Sequence, residues 1–133
     1  MKTDIEIKDD IYKFIKGSAL ANAVTGKIDK TSRPTGSTKE DIIISIDENM
    51  NDDDIQTSLV SVNIYVADLL RDNQYIENTI RLRELCALAK NLLEVGHTDD
   101  ARFVLQSQRV KQVKGSEDEH YIENKLLYKH CKY

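Results

Sequence analysis

The chain has 133 residues, 19 Lys and Arg against 23 Asp and Glu, a formal net charge of −4 and 40% hydrophobic residues. That length suits a single domain, residues 1–133, with one core that needs no disulfide or metal staples. The acidic balance, with a pI of about 5.4, argues against a nucleic-acid binder that relies on bulk positive charge, and the charges of mixed sign suit a globular surface.

The opening MKTDIEIKDDIYKFIKG lacks the apolar core of a signal peptide, and no apolar run is long enough to cross a bilayer. Ile7, Ile11, Phe14, Ile15 and Ala19 recur at helical spacing, with Asp9 and Asp10 near the start. Gly17-Ser18 either bends this helix or lets Ser18 cap a short second one through Val24, which Gly26 would stop. Lys27 to Lys30 can form a short strand. Turn-formers crowd TSRPTGSTKE, so Thr31 to Lys39 reads as a loop. Glu40 to Asp47 reads as a strand with Ile42, Ile44 and Ile46 inward, and Asp47 to Asp54 as an acidic connection.

Gln56 to Ala67 carries the longest clean alternation in the chain, with Val60, Val62, Ile64 and Val66 on one face. It reads as an inner strand. Leu69 to Gln74 reads as a polar turn. Glu77 to Val95 reads as a helix with an apolar stripe of Ile80, Leu85, Leu88, Ala89, Leu92 and Val95, stopped by Gly96. The last third reads as one long hairpin, Arg102 to Lys114 and Glu117 to Lys129, about a type II′ turn at Gly115-Ser116. That turn pairs Phe103 with Tyr128, Leu105 with Leu126, Ser107 with Asn124 and Arg109 with Ile122. Beyond Arg109 the inward face then holds Arg109, Lys111 and His120, with Ile122 its one apolar residue. A core cannot accept such a row, so the outer half of the hairpin is expected to project. The order α-β-β-β-α-β-β predicts an α+β domain of two layers, with two helices on one face of a mostly antiparallel sheet.

No catalytic or cofactor motif appears, and no cofactor or metal is expected. His97, His120, His130 and Cys131 lack metal-ligand spacing, and no CxxC or HExxH exists. The two cysteines, Cys86 and Cys131, are too few for a disulfide scaffold and suit reduced thiols in a cytoplasm. Cys86, between apolar helix positions, reads as an inert core thiol. Asp47 to Asp54 lacks the alternating ligands and central glycine of an EF-hand, and the Ser32–Thr38 segment lacks the GxxxxGK[ST] phosphate cradle. The acidic residues single out no acid–base pair.

The first apolar helix, then LANAVTGKIDK and RPTGSTKEDIIISI, the middle segment QTSLVSVNIYVADL, the helix TIRLRELCALAKNLLE and the strand EHYIENKLLYKHC resemble, in pattern and order, small tail-completion proteins of long-tailed bacteriophages and prophages. Tail terminators are among them. The closest local echoes are Gly26-Lys27-Ile28, Arg33-Pro34 and Glu119-His120-Tyr121-Ile122-Glu123-Asn124. The resemblance spans nearly the whole chain and supplies no catalytic residues. It implies an α+β, non-enzymatic structural protein that caps the head-proximal end of the tail tube as a ring, commonly hexameric. The implied partners are tail-tube and neck or connector proteins, with no membrane and no nucleic acid outside the tube lumen. The implied location is host cytoplasm during assembly and the virion tail afterwards.

The assembly surfaces expected on this reading are the Thr31–Lys39 loop, the acidic loop and the charged end of the hairpin. Their residues are Arg33, Pro34, Lys39, Asp52, Asp53, Arg109, Lys111, Lys114, Glu117 and Glu119. Two other classes stand beside it. One is a small binding module of a bacterial cytoplasm, immunity-like or regulatory, whose acidic surface suits a basic partner. The other is a small enzyme with a site assembled from scattered polar residues.

Overall fold

The computed structural model describes residues 1–52 and 54–131. The first helix, α1 (Asp4–Ile15), starts at a capping box: the Thr3 side chain accepts from the Glu6 amide, and the Glu6 carboxylate accepts from the Thr3 amide. Ile7, Ile11 and Ile15 form its fully buried face. Gly17, at φ 77°, ends it in the left-handed conformation that glycine adopts without a Cβ clash. Ser18 then caps the short α2 (Ala19–Ala23). Of the two sequence alternatives, the capped second helix is therefore the one adopted.

A six-stranded sheet follows, built from β1 (Ile28–Asp29), β2 (Ile42–Asn51), β3 (Ile55–Ala67), β6 (Val95–His97), β7 (Ala101–Gln112) and β8 (Glu119–Cys131). Its strand order is β1-β2-β3-β8-β7-β6, antiparallel except for β1 beside β2. A separate two-stranded ribbon, β4 (Leu69–Arg71) and β5 (Gln74–Ile76), leads into α3 (Thr79–Leu93). The domain is thus α+β, with the sheet mostly antiparallel, the helices on one face and a long C-terminal hairpin.

The alternation of β3 puts Val60, Val62, Ile64 and Val66 fully inside. Across the sheet they meet Ile42 and Ile44 of β2 and Ile122, Leu126 and Tyr128 of β8, and all pack under α1 and α3. β3 is the inner strand that the alternation predicts, and β8 is a second one. β8 pairs with β3 from Glu119 to Cys131 and with β7 on its other side.

Five local expectations are corrected. β2 continues through the acidic segment to Asn51, because Glu48, Asn49 and Met50 pair with Leu59, Ser58 and Thr57 after a bulge at Asp47. The buried stripe of α3 is Leu82, Leu85, Ala89 and Leu93, with the expected Leu88 and Leu92 partly buried beside it, while Ile80 and Val95 are 68% and 73% exposed. α3 stops at Leu93, and Gly96 belongs to β6, where an added Cβ would lie 2.2 Å from the Phe103 ring. Gly26 likewise serves close approach rather than helix ending: its Cβ would lie 2.6 Å from the Glu40 carbonyl oxygen. The segment after β3 forms the β4–β5 hairpin, since Asp72 and Asn73 both take positive φ, as a two-residue type I′ turn requires.

The largest correction concerns the long hairpin. Phe103 meets Tyr128 and Leu105 meets Leu126 as the sequence predicts. A bulge between Leu105 and Ser107 then shifts the register, so Arg109 meets Glu123, Val110 meets Ile122 and Lys111 meets Tyr121. One inserted residue flips the face of everything beyond it. Val110 turns to the helix side, and Arg109 and Lys111 turn to the open side. Arg109 and Lys111 therefore leave the inward face, while His120 stays on it opposite Val66, and the projecting outer half that the row suggested is absent, because β3 flanks β8 throughout. The tip is a turn in which the Ser116 amide donates to the Val113 carbonyl, with Gly115 at φ 80°. Gly115 thus occupies the third position of the turn, in place of the expected type II′ arrangement.

Candidate interaction surface

The helix-free face of the sheet is a broad unroofed surface of the domain. Its central rung runs Ile43, Asn63, Glu123, Arg109, and a second runs Leu59, Leu127, Val104, Val95. At the end where β3 finishes, the 31–39 loop folds over it and is fastened through Arg33. The Arg33 Nε donates to Asp41 at 2.9 Å, Nη1 to Glu119 at 2.5 Å and Nη2 to the Lys39 carbonyl at 2.8 Å. The guanidinium lies 4.5 Å from the centre of the Tyr65 ring, and Tyr65 stacks on Tyr121 at 5.6 Å.

Asp41 is buried and also accepts from the Ser37 hydroxyl at 2.6 Å and the Lys27 amide at 3.0 Å. Burial alone would raise its pKa, but these hydrogen bonds and Arg33 outweigh that and hold it below the usual carboxylate range. Burial likewise opposes the charged guanidinium, yet Glu119 and Asp41 together hold its pKa above the ordinary arginine value. Every guanidinium nitrogen is engaged. Arg33 is a strap that secures the loop, and the loop presents Pro34 and Lys39, both exposed.

The ten residues expected to serve assembly divide by position. Arg33, Lys39 and Glu119 come together at this strap. Lys111 reaches Glu123 at 3.0 Å on the open face, with Arg109 exposed beside it. Lys114 and Glu117 are exposed at the hairpin turn near the same end of the sheet. Asp52 is exposed at the opposite end, where its amide donates to the Ile55 carbonyl at 3.1 Å. Asp53 lies outside the described residues.

Three features escape sequence reasoning. Asp41 looks like the start of a strand, and nothing local announces a buried carboxylate. The β4–β5 arm carries a signal, the apolar pairs Leu69-Leu70 and Tyr75-Ile76 flanking Asp72-Asn73, but Gln and Arg around the turn mask it. The root of that arm is held by His120, whose Nδ1 lies 2.7 Å from Asp68 and whose Nε2 lies 3.8 Å from Glu77. At the far end of the sheet, Ile55, Val95, Val104 and the 97–102 segment line a groove of about 950 Å³. Beside it, Lys2 pairs with Asp10 and with Asp100, and the Tyr128 hydroxyl donates to Asp10 at 2.8 Å, bolting the first residues to the sheet.

Burial raises the pKa of the half-buried Cys86 thiol, the opposite of nucleophile activation. Among the described residues no helix is long and apolar enough to cross a membrane, and no three His, Cys, Asp or Glu side chains gather as a metal site. No protein-family model and no curated protein matches the chain.

Proposed function

We propose that this chain is a non-enzymatic structural protein of a phage or prophage tail, one that caps the head-proximal end of the tail tube as a ring. The observation that carries the reading is the unroofed sheet face. An antiparallel sheet with helices on one side can leave its other face to water, and in a ring that broad second surface is available to neighbouring copies and to the tube. The mixed character of the face, with tyrosines and aliphatic side chains between charged pairs, suits a surface that is wet in the monomer and covered in an assembly. The chain-long resemblance to tail-completion proteins names the assembly. The partners are the tail tube, the neck or connector proteins and further copies of the chain, met first in the host cytoplasm and then in the virion tail.

Like charge on every copy opposes association in dilute low-salt solution, and a tube end supplies the missing contacts. Electron microscopy of the protein mixed with purified tail tubes tests this. The expected result is a ring at one end of each tube, with the protein alone sedimenting as a monomer or weak oligomer. A dimer that survives both dilution and high salt, with bare tube ends, overturns it.

A further inference from the structure

The β4–β5 arm and the groove both expose apolar side chains, and they sit at opposite ends of β3. All of β5 is exposed, as are Leu70 and Arg71 of β4; Leu70 is 60% and Tyr75 51% exposed. An isolated two-stranded ribbon is marginal in water and gains from being covered. The groove offers Val95, Val104 and Ile55, all exposed, with Asp99, Arg102 and Lys129 around them. The arm follows the last residue of β3, and the groove lies beside the first. Thirteen strand residues separate them by about 40 Å at the usual rise of about 3.3 Å per residue. An arm therefore cannot reach the groove of its own chain.

We propose that the β4–β5 arm of one copy docks in the groove of the next, so that copies join head to tail. Leu70 and Tyr75 lie against Val95 and Val104. The tip charges also match: Arg71, with no ion-pair partner among the described residues, meets Asp99, and Asp72 meets Arg102 or Lys129. Each copy gives one arm and receives one, so the contact is heterologous and propagates until it closes into a ring or runs on as a filament. Closure into a ring rests on the tail-ring reading above; the contact itself does not.

Disulfide trapping tests it. The variant Tyr75→Cys with Val104→Cys, in a Cys131→Ser background, is incubated at high protein concentration with oxidised glutathione. The expected product is a ladder extending past the dimer, absent from either single cysteine variant. A ladder that stops at the dimer, or a double variant no more cross-linked than the singles, overturns the contact. Mixing gives a second readout that does not depend on cysteine. Leu70→Asp and Val104→Asp should each abolish association, and an equimolar mixture should recover dimers only, since one intact arm then meets one intact groove. A mixture that stays monomeric overturns the proposal. Electron microscopy of the trapped sample separates the two readings. Filaments with a ladder keep the contact and remove the ring; rings without a ladder keep the ring and remove the contact.

Discussion

The two hairpins of this domain have opposite fates. The β7–β8 hairpin has strands of 12 and 13 residues and lies within the sheet, while β4–β5 has strands of three each and stands clear of it. Length would suggest the reverse, since a long hairpin with charged residues toward its tip looks like an arm. What decides is whether a strand has a second neighbour. β8 is flanked by β3 along all 13 residues, and its inward side chains Ile122, Asn124, Leu126 and Tyr128 are all fully buried. Among the described residues β4 and β5 pair only with each other.

Truncating a buried side chain in the outer half of the long hairpin gives the largest effect. Ile122 sits there, fully buried beneath the helices, and opposite both Ile64 and Val110. Ile122→Ala should cost about 3 kcal/mol through lost burial and the cavity left behind. Urea unfolding measures it, and a loss under about 1 kcal/mol would mean that the outer half is not packed after all.

The strap gives the next effect, because it ties the 31–39 loop to the start of β8. Arg33→Ala leaves Asp41, whose side chain is 2% exposed, without its charge partner. Arg33 itself keeps some exposure, so the cost should be about 2 kcal/mol, below that of breaking a fully buried pair. The same carboxylate sets an acid dependence. Its pKa is depressed in the folded state, so its contribution is complete above the unfolded value of about 4 and disappears as the pH falls through the lower folded value. The stability of Asp41→Asn should therefore change less between pH 5 and pH 3, both chosen test values around that pKa, than that of the parent chain. Equal slopes in the two proteins would show that Asp41 titrates normally.

How much of this was legible in the sequence depends on the range of the forces involved. β3 was legible because strict alternation of β-branched residues is a local signal, and the base of the long hairpin because Phe103–Tyr128 and Leu105–Leu126 group apolar pairs. The bulge at Gln106 was not. Its effect, turning Arg109 and Lys111 to the open face and setting Val110 opposite Ile122, exists only in the pairing with β8. The stripe of α3 was misphased at both ends because Ile80 is apolar but exposed, and Val95 lies past the helix in β6, opposite Val104. Of the candidate surface, Arg33, Lys39 and Glu119 were named from loop composition and a charged tip. That the first and last are 86 positions apart in the chain and joined by a hydrogen bond follows only from β2, β3 and β8 lying side by side.

The smallest expected effect falls on the arm, and it bears most directly on the contrast between the hairpins. Tyr75 pairs with Leu70 across the ribbon, and a cross-strand pair of this kind contributes about 0.2–1 kcal/mol to its own ribbon. Among the described residues the ribbon is tethered to the sheet at its root, where Asp68 and Glu77 approach His120 and the Asp68 amide donates to the Asp118 carbonyl. Opening it exposes little that the native state does not already expose, so its loss is a local event uncoupled from global unfolding. Tyr75→Ala should accordingly change the unfolding free energy by no more than about 0.5 kcal/mol. Hydrogen exchange should show amides of the 70–75 segment opening at far lower free energy than those of the 120–128 segment. A cost above about 1.5 kcal/mol, beyond the range of surface substitutions, would place Tyr75 against the body. The two hairpins would then be equally anchored, and the arm would lack the accessibility that docking into a second copy requires.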